Sequence, residues 1–262
     1  MCKPRMELSG VDAAYAALHG TLDRCTDRLM RAPSSLPGWS RAELVTHLAR
    51  NADANRRMAE GAIRGELIPQ YAGGPEQREA EIRRGRGRTA REAIADLEEA
   101  QQALVATWSK MPDDAWDRPT LTLVGTRPAW RGVWARWREI EIHHVDLDLG
   151  YEPEHWPRCF VERALASVVN GIPARWRGPA LTDDRSWLLQ ATDTGKTWCV
   201  VQRGATVEVT EGDSDEADAV VSGVSYALLA WLLGRREAEH VQLTCANDPE
   251  LLYSLPRRAP YP

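Results

Sequence analysis

The stretch RWREIEIHHVD, residues 136–146, combines acids, histidines and apolar residues. The apolar residues are spaced so that a helix over this stretch has a buried side. In such a helix Glu139 and His143 stand one turn apart on the same face. A carboxylate and an imidazole that both point inward can supply two ligands of a divalent metal ion. A third ligand has to come from elsewhere in the chain.

The sequence before this stretch is also predicted to be helical. The predicted long helices span residues 9–30, 40–64, 89–112 and 130–149. The second and third begin at capping boxes, Ser40 with Glu43 and Thr89 with Glu92. Residues 113–128 are predicted as a loop with an extended piece. Four amphipathic helices predict a four-helix bundle, whose core is a usual place for metal sites built from facing helices.

The character of the sequence changes after Gly150, where short β-prone runs alternate with turns rich in Gly and Asp. Strands are predicted at residues 187–191, 198–202, 206–210, 219–221 and 240–245, and helices at 160–169, at 225–233 and after 249. The pattern predicts a two-domain α+β protein, with a helical domain over residues 1–152 and a small α+β domain over residues 153–262.

Composition narrows the class of protein. At 262 residues, with 43% hydrophobic and 27% charged residues, the chain can bury a full core. A net charge of −5 disfavours nucleic-acid binding. The five cysteines are scattered without a C-x-x-C pair, which predicts free thiols in a reducing compartment. Because no apolar signal core or membrane-spanning run occurs in the sequence, we expect a cytoplasmic protein without membrane association. A monomer is compatible with the sequence.

His47 is the candidate for the third metal ligand. It lies in the second predicted helix among Leu44, Val45 and Leu48. A single histidine on an apolar face is more often a hydrogen-bonded core residue, and a single E-x-x-x-H pair is weak evidence for a metal. Together the three side chains form a His/Glu/His set from two helices of one bundle. Such a set leaves positions open for water or substrate.

Three blocks of the sequence resemble the mycothiol-dependent maleylpyruvate isomerases, which belong to the DinB-like metal-binding bundles. These blocks are LPGWS followed by LVTHLARNAD within residues 36–53, YAGGPEQR at residues 71–78, and RWREIEIHHVDL at residues 136–147. The resemblance is strong over residues 1–150. It is looser over the remainder, which is similar to the sterol-carrier-like α+β domain of these enzymes.

The resemblance implies that His47, Glu139 and His143 bind a divalent metal, normally zinc, and that mycothiol is a thiol cosubstrate at the open position. A metal-bound thiol loses its proton and becomes a nucleophile at neutral pH. In the implied reaction the thiolate adds to the cis double bond of maleylpyruvate. Rotation about the new single bond and loss of the thiol then give fumarylpyruvate.

Further residues are predicted at the cofactor-binding site, with alternatives left open. Asn51, one turn after His47, is a candidate contact for the thiol, although an exposed helix position is equally compatible with it. Arg78 is a candidate among other charged residues of its block. The resemblance also implies that a C-terminal arginine closes the pocket on an anionic substrate. The nearest match is Arg235, which the sequence does not separate from the adjoining Arg236, and a solvated arginine pair at a helix end is the alternative.

The position of each remaining polar residue of 136–146 along the predicted helix indicates whether its side chain can face the metal site. Asp146 lies three residues after His143 and either orients the ligand imidazole or is a surface acid. His144 and Glu141 point away from the ligand face, so both are predicted to be structural.

Three functions agree with these residues. The first is a mycothiol-dependent isomerase of the maleylpyruvate type, which needs the thiol catalytically. The second is a thiol S-transferase with the same metal site, which consumes the thiol. The third is a non-catalytic metal- or ligand-binding protein, which predicts a fourth protein ligand that closes the coordination of the metal.

Overall fold

The computed structural model describes residues 4–179, 184–214 and 216–261. The chain divides into two units, Met1–Tyr151 and Glu152–Pro262, and the predicted boundary after residue 152 lies next to this division. In the described ranges, no helix has both the length and the apolar character that a membrane span requires.

The first unit consists of helices and one small hairpin. Its helices are α1 Arg5–Leu22, α2 Asp27–Arg31, α3 Arg41–Arg64, α4 Gly74–Arg83, α5 Ala90–Ser109 and α6 Trp130–Asp146. Helix α3 packs against α4, α5 and α6, and α6 also packs against α1. The predicted bundle of four long helices, α1, α3, α5 and α6, is confirmed.

Capping boxes fix the starts of α3 and α5, as the sequence predicts. The hydroxyls of Ser40 and Thr89 accept hydrogen bonds from the third backbone N–H of their helices. The carboxylates of Glu43 and Glu92 accept hydrogen bonds from the backbone N–H of the two capping residues. Because α3 begins at a fixed residue, the position of every side chain on its inner face is also fixed.

The prediction of a single helix over residues 9–30 is wrong. Helix α1 ends at Leu22, and α2 begins at Asp27. The hydroxyl of Thr26 accepts a hydrogen bond from the backbone N–H of Leu29 at 3.3 Å. This cap starts a new helix and competes with continuation of the first one, so the chain breaks between them.

Residues 113–128 contain more structure than the predicted loop with an extended piece. A 3₁₀ turn over Asp113–Asp117 leads into an antiparallel hairpin of β1 Pro119–Thr122 and β2 Gly125–Pro128. Gly125 has a φ of 103°, which a residue with a side chain rarely adopts, and this glycine allows the tight turn between the strands.

The second unit is a five-stranded sheet with helices, which confirms the predicted α+β class. Its elements are α7 Arg158–Asn170, α8 Ile172–Arg175, β3 Arg185–Ala191, β4 Lys196–Arg203, β5 Thr206–Glu211, β6 Ala219–Gly223, α9 Ser225–Leu232, β7 Thr244–Asn247 and α10 Glu250–Arg258. The strand order is β5-β4-β3-β6-β7, and only the β3–β6 pair is parallel.

The strand predicted at residues 240–245 is displaced in the structure, because β7 begins only at Thr244. The backbone of Gln242 has a φ of 56°, and the N–H of Leu243 donates to the carbonyl of Ala238 at 2.9 Å. The residues that were predicted as the first half of this strand therefore form a local turn instead.

The contact between α1 and α6 gives a stability prediction. A Cβ on Gly10 would lie 2.5 Å from the ring of Trp137, which is buried and donates from Nε1 to Glu141 at 3.0 Å. We expect Gly10→Ala to lower the free energy of unfolding in urea by about 1–3 kcal/mol, because the indole has no room to move.

The matched control is Gly20→Ala in the same helix, where an added Cβ meets no atom within 4 Å. This substitution should be neutral or stabilising by up to about 1 kcal/mol, because alanine favours helix over glycine. Equal destabilisation by both substitutions would contradict the overlap with Trp137.

Candidate metal centre

His47 on α3 and Glu139 and His143 on α6 bring their potential ligand atoms together. Nε2 of His47 lies 2.8 Å from Oε2 of Glu139, and Nε2 of His143 lies 3.5 Å from the same oxygen. The two imidazole rings meet edge to face with their centroids 4.9 Å apart. All three ligand atoms lie within 4.8 Å of one another. The structure therefore brings together the three side chains that are predicted from the sequence as metal ligands.

Helix periodicity explains this convergence. His47 belongs to the buried side of α3 with Leu44, Leu48 and Asn51, residues that are three or four positions apart. Glu139 and His143 are one turn apart on α6, and α6 packs directly against α3. The facing sides of the two packed helices thus supply the three candidate ligands, one from α3 and two from α6.

Asp146 holds the imidazole of His143. Nδ1–H of His143 donates to Oδ2 of Asp146 at 2.8 Å, and Asp146 is fully buried. Burial disfavours the charged imidazole, but the hydrogen bonds to Asp146 and Glu139 outweigh this effect and raise the pKa of His143. With Nδ1 held by Asp146, the other ring nitrogen, Nε2, is directed at the cluster. The predicted contact between Asp146 and the ligand imidazole is confirmed, and the alternative of a surface acid is wrong.

The backbone around Asp146 is held as well. The N–H of Ser35 donates to the carbonyl of Asp146 at 2.9 Å, and its hydroxyl lies 3.1 Å from the same oxygen. Ser35 belongs to the loop between α2 and α3, so this loop is tied to the end of α6.

The electrostatics of the cluster suit a metal ion. Burial lowers the pKa of His47 to about 4 even though Glu139 favours its charged form, so the imidazole is neutral at neutral pH. Burial raises the pKa of Glu139, but hydrogen bonds from His143 and His47 outweigh it and hold this pKa well below its ordinary value. A neutral imidazole and an ionised carboxylate are the forms that bind divalent metals.

The donor set fits a divalent ion such as Zn²⁺. For metal–donor distances of about 2.0–2.2 Å, two neighbouring donors of a tetrahedral site are roughly 3.3–3.5 Å apart. The distance of 3.5 Å between Glu139 and His143 agrees with this value, and the 2.8 Å between His47 and Glu139 is that of a hydrogen bond. Within the described ranges, the cluster contains three His, Cys, Asp or Glu side chains and no fourth. Three protein ligands leave at least one position open, as in catalytic sites.

The three candidate ligands differ in exposure. The side chain of Glu139 is 33% exposed and that of His143 is 14% exposed, whereas that of His47 is 3% exposed. Most of the surface that the cluster presents to solvent therefore belongs to Glu139.

Arg78 and Trp39 lie beside the cluster. Nη2 of Arg78 is 3.2 Å from Nδ1 of His47, and its guanidinium group lies over the Trp39 ring at 5.9 Å from the centroid. The Trp39 ring meets the His47 ring at 5.6 Å. Arg78 is thus in contact with His47, a predicted metal ligand. Trp39 was not predicted as a residue of the site, although its position in the LPGWS block indicated that it could belong there.

Asn51 is buried within the bundle, so the alternative of an exposed position is wrong. Its Oδ1 accepts hydrogen bonds from Arg136 at 3.0 Å and from Asn55 at 3.2 Å. The predicted contact of Asn51 with the thiol stays a prediction.

Arg235 lies in the second unit, just after α9. Its Nη1 donates to the carbonyl of Leu233 at 2.8 Å. Arg236 pairs with the carboxylate of Glu152 and donates to the carbonyl of Arg235 at 2.7 Å. The two arginines, which the sequence did not separate, therefore have different partners. The substrate-binding role of Arg235 stays a prediction.

Glu141 and His144 point away from the cluster, as predicted. Glu141 accepts hydrogen bonds from Nε1 of Trp137 at 3.0 Å and from the hydroxyl of Tyr151 at 2.7 Å. Nε2 of His144 lies 2.8 Å from the hydroxyl of Thr21, and its ring stacks on Tyr151.

Comparison with known proteins was made by family, sequence and structure. The model of the mycothiol maleylpyruvate isomerase N-terminal domain matches residues 11–148. Two crystal structures, of the mycothiol-dependent maleylpyruvate isomerase and of a histidine-to-alanine mutant, each align with a TM-score of 0.77 and 23% sequence identity over 93% of both chains. At this identity the structural similarity establishes the fold. No curated protein matches the sequence.

Proposed function

Because the chain belongs to the family of the mycothiol maleylpyruvate isomerase N-terminal domain, we propose that it is a metal- and thiol-dependent enzyme. The proposed reaction is the cis–trans isomerisation of maleylpyruvate, or of a related unsaturated keto acid, with mycothiol as the cosubstrate. The observation that carries the proposal is the convergence of His47, Glu139 and His143 from two helices, with ligand atoms within 4.8 Å of one another.

These three residues would hold the divalent ion, normally zinc. Bound there, the ion supplies Lewis acidity, which lowers the pKa of a thiol at the open position so that a thiolate is present at neutral pH. The protein keeps His47 neutral by burial and orients His143 through Asp146. Both effects favour the forms of the imidazoles that can bind a divalent ion.

The thiolate is the proposed nucleophile, and the protein positions its target. Addition forms a C–S bond at one carbon of the cis double bond, and the π electrons move toward the conjugated carbonyl group. The former double bond now rotates freely. Return of the electron pair expels the thiolate and leaves the trans isomer, so the thiol is regenerated. Arg78, beside His47, offers a planar guanidinium group that suits a substrate carboxylate.

Metal content and thiol dependence test this proposal together. We expect the wild-type protein to bind about one divalent ion per chain and to isomerise maleylpyruvate only when a thiol is added. His47→Ala should lose the ion and the activity, because it removes the ligand that α3 supplies. The matched control is His19→Ala on α1, where the histidine pairs with Asp23 at 3.2 Å, and this variant should keep both properties.

The outcomes separate the competing functions. Full metal occupancy in His47→Ala would contradict the site, and activity without any thiol would contradict the mechanism. Consumption of one thiol per product would instead support a thiol S-transferase. A stable metal complex without any thiol-dependent reaction would support a metal-binding protein.

A further inference from the structure

Arg136 is a buried cation whose hydrogen-bond acceptors are all neutral. Its exposed fraction is 0%. Nη1 donates to the carbonyl of Leu48 at 2.7 Å and to Oδ1 of Asn51 at 3.0 Å, and both Nε and Nη2 donate to Oε1 of Gln101. Within the described residues, none of these acceptors is a carboxylate. Burial lowers the pKa of Arg136 to about 10, so the group is still charged at neutral pH.

Gln101 is the acceptor where a counter-ion would be expected. Its Oε1 accepts hydrogen bonds from both Nε and Nη2 of Arg136, at 3.0 and 2.9 Å, and this pair of donors is also the one that can face the two oxygens of a carboxylate. The other end of the same amide, Nε2, is buried without a hydrogen-bond partner. A glutamate here would neutralise Arg136 and would remove this unpartnered N–H. The chain has the neutral residue instead, and the positive charge stays uncompensated at this contact.

Arg136 stands on the same helix as Glu139 and contacts the backbone next to His47. Arg136 precedes Glu139 by three residues on α6, and its guanidinium group reaches the carbonyl of Leu48, the residue after His47. Among the charged groups that act on Arg136, Glu139 has the largest effect. If Glu139 held a divalent ion, its negative charge would be shared with that ion, and the charge of Arg136 would add to the positive charge of the centre.

We propose that Arg136 provides a fixed positive charge that makes the open position of the metal centre select an anionic ligand over a neutral one. This inference rests on the proposed function, because it takes the metal to be held by His47, Glu139 and His143. A charge held in a fixed place within a buried site acts on the ligand with little screening by water. The thiolate and an anionic electrophile are the occupants that gain from it.

The test compares an anion with a neutral ligand on the Co²⁺-loaded protein, whose visible absorption reports binding at the open position. Azide is the anionic probe, and imidazole above its pKa is the neutral one. Gln101→Glu keeps the shape of residue 101 and neutralises Arg136. We expect it to weaken azide binding about tenfold and to leave imidazole binding within about twofold.

Two variants separate charge from structure. Gln102→Glu adds the same charge at the next residue of α5, where the side chain is exposed and pairs with Glu98, and it should change neither affinity. Arg136→Lys keeps the positive charge without the planar fork, and it should retain the preference for azide. Arg136→Met removes the charge, and it should reproduce the selective loss even if Gln101→Glu does not fold.

Each outcome has one meaning. Equal weakening of azide and imidazole in Gln101→Glu, or no change in either, would overturn the role of Arg136 while the metal site remains. Failure of the wild-type protein to bind Co²⁺ would overturn the proposed function and this inference with it.

Discussion

Zinc is expected to raise the unfolding temperature of the wild-type first unit by roughly 10 °C and to leave that of Glu139→Gln unchanged. A ligand that binds only the folded state stabilises it by about 4 kcal/mol when its free concentration is a thousand times its dissociation constant. For a unit of this size, each kcal/mol shifts the midpoint by roughly 2–4 °C. Oε2 of Glu139 is the atom that both histidines face, at 2.8 and 3.5 Å. Its replacement by a neutral amide removes the anionic donor from the centre of the cluster.

The measurement is thermal unfolding followed by circular dichroism, with a chelator and then with excess zinc. In chelator, Glu139→Gln should unfold near the wild-type temperature, because the amide oxygen still accepts a hydrogen bond from a histidine. The matched control is Glu60→Gln on α3, where the carboxylate is 34% exposed and pairs with Arg56. Zinc should stabilise this control as it stabilises the wild type. An equal zinc shift in Glu139→Gln would show that the ion binds elsewhere.

Local signals in the sequence account for most of the first unit. Ser40 with Glu43 and Thr89 with Glu92 mark helix starts because a capping box is satisfied by residues three positions apart. The phase of α6 separates Glu139 and His143 from Glu141 and His144, since the direction of a side chain follows from its position in a regular helix. The same reasoning, applied to the periodicity of α3, places His47 on the inner face of that helix.

Features that depend on one hydrogen bond or on distant partners were not predictable. The break before α2 depends on the cap formed by Thr26, and threonine is also common within strands, so the residue alone does not mark a helix start. The displaced start of β7 depends on a left-handed backbone at Gln242, a residue without a strong preference for that conformation.

The residues around the candidate metal ligands are the hardest part of the site to predict from the sequence. Gln101 and Arg136 meet across two helices, and nothing in a single sequence links the two positions. Ser35 reaches Asp146 from a loop far away in the chain. These contacts follow from how the helices pack and not from the periodicity of any one helix, so the sequence alone does not predict them.

Asp146→Asn is expected to weaken zinc binding about 10- to 100-fold without abolishing it, which is the usual effect when the partner of a ligand imidazole is changed. The carboxylate accepts a hydrogen bond from Nδ1–H of His143 at 2.8 Å, which favours the tautomer in which Nε2 can bind a metal ion. An asparagine has the same shape, but its amide is a weaker acceptor. It can also present its NH₂ group to Nδ1, which would favour the imidazole tautomer with the proton on Nε2.

The matched control is Asp148→Asn, which removes the same charge two residues later from a side chain that is 67% exposed. Asp148 has a φ of 54°, a conformation that asparagine tolerates well, so this variant should bind zinc as the wild type does. Competition with a coloured chelator measures both dissociation constants at one pH. If both variants lost the same affinity, the effect would come from net charge near the end of α6. A loss confined to Asp146→Asn would support the role of the hydrogen bond to His143, because the Asp146 carboxylate contacts that imidazole at 2.8 Å, whereas the Asp148 carboxylate pairs with Arg41 at 3.5 Å.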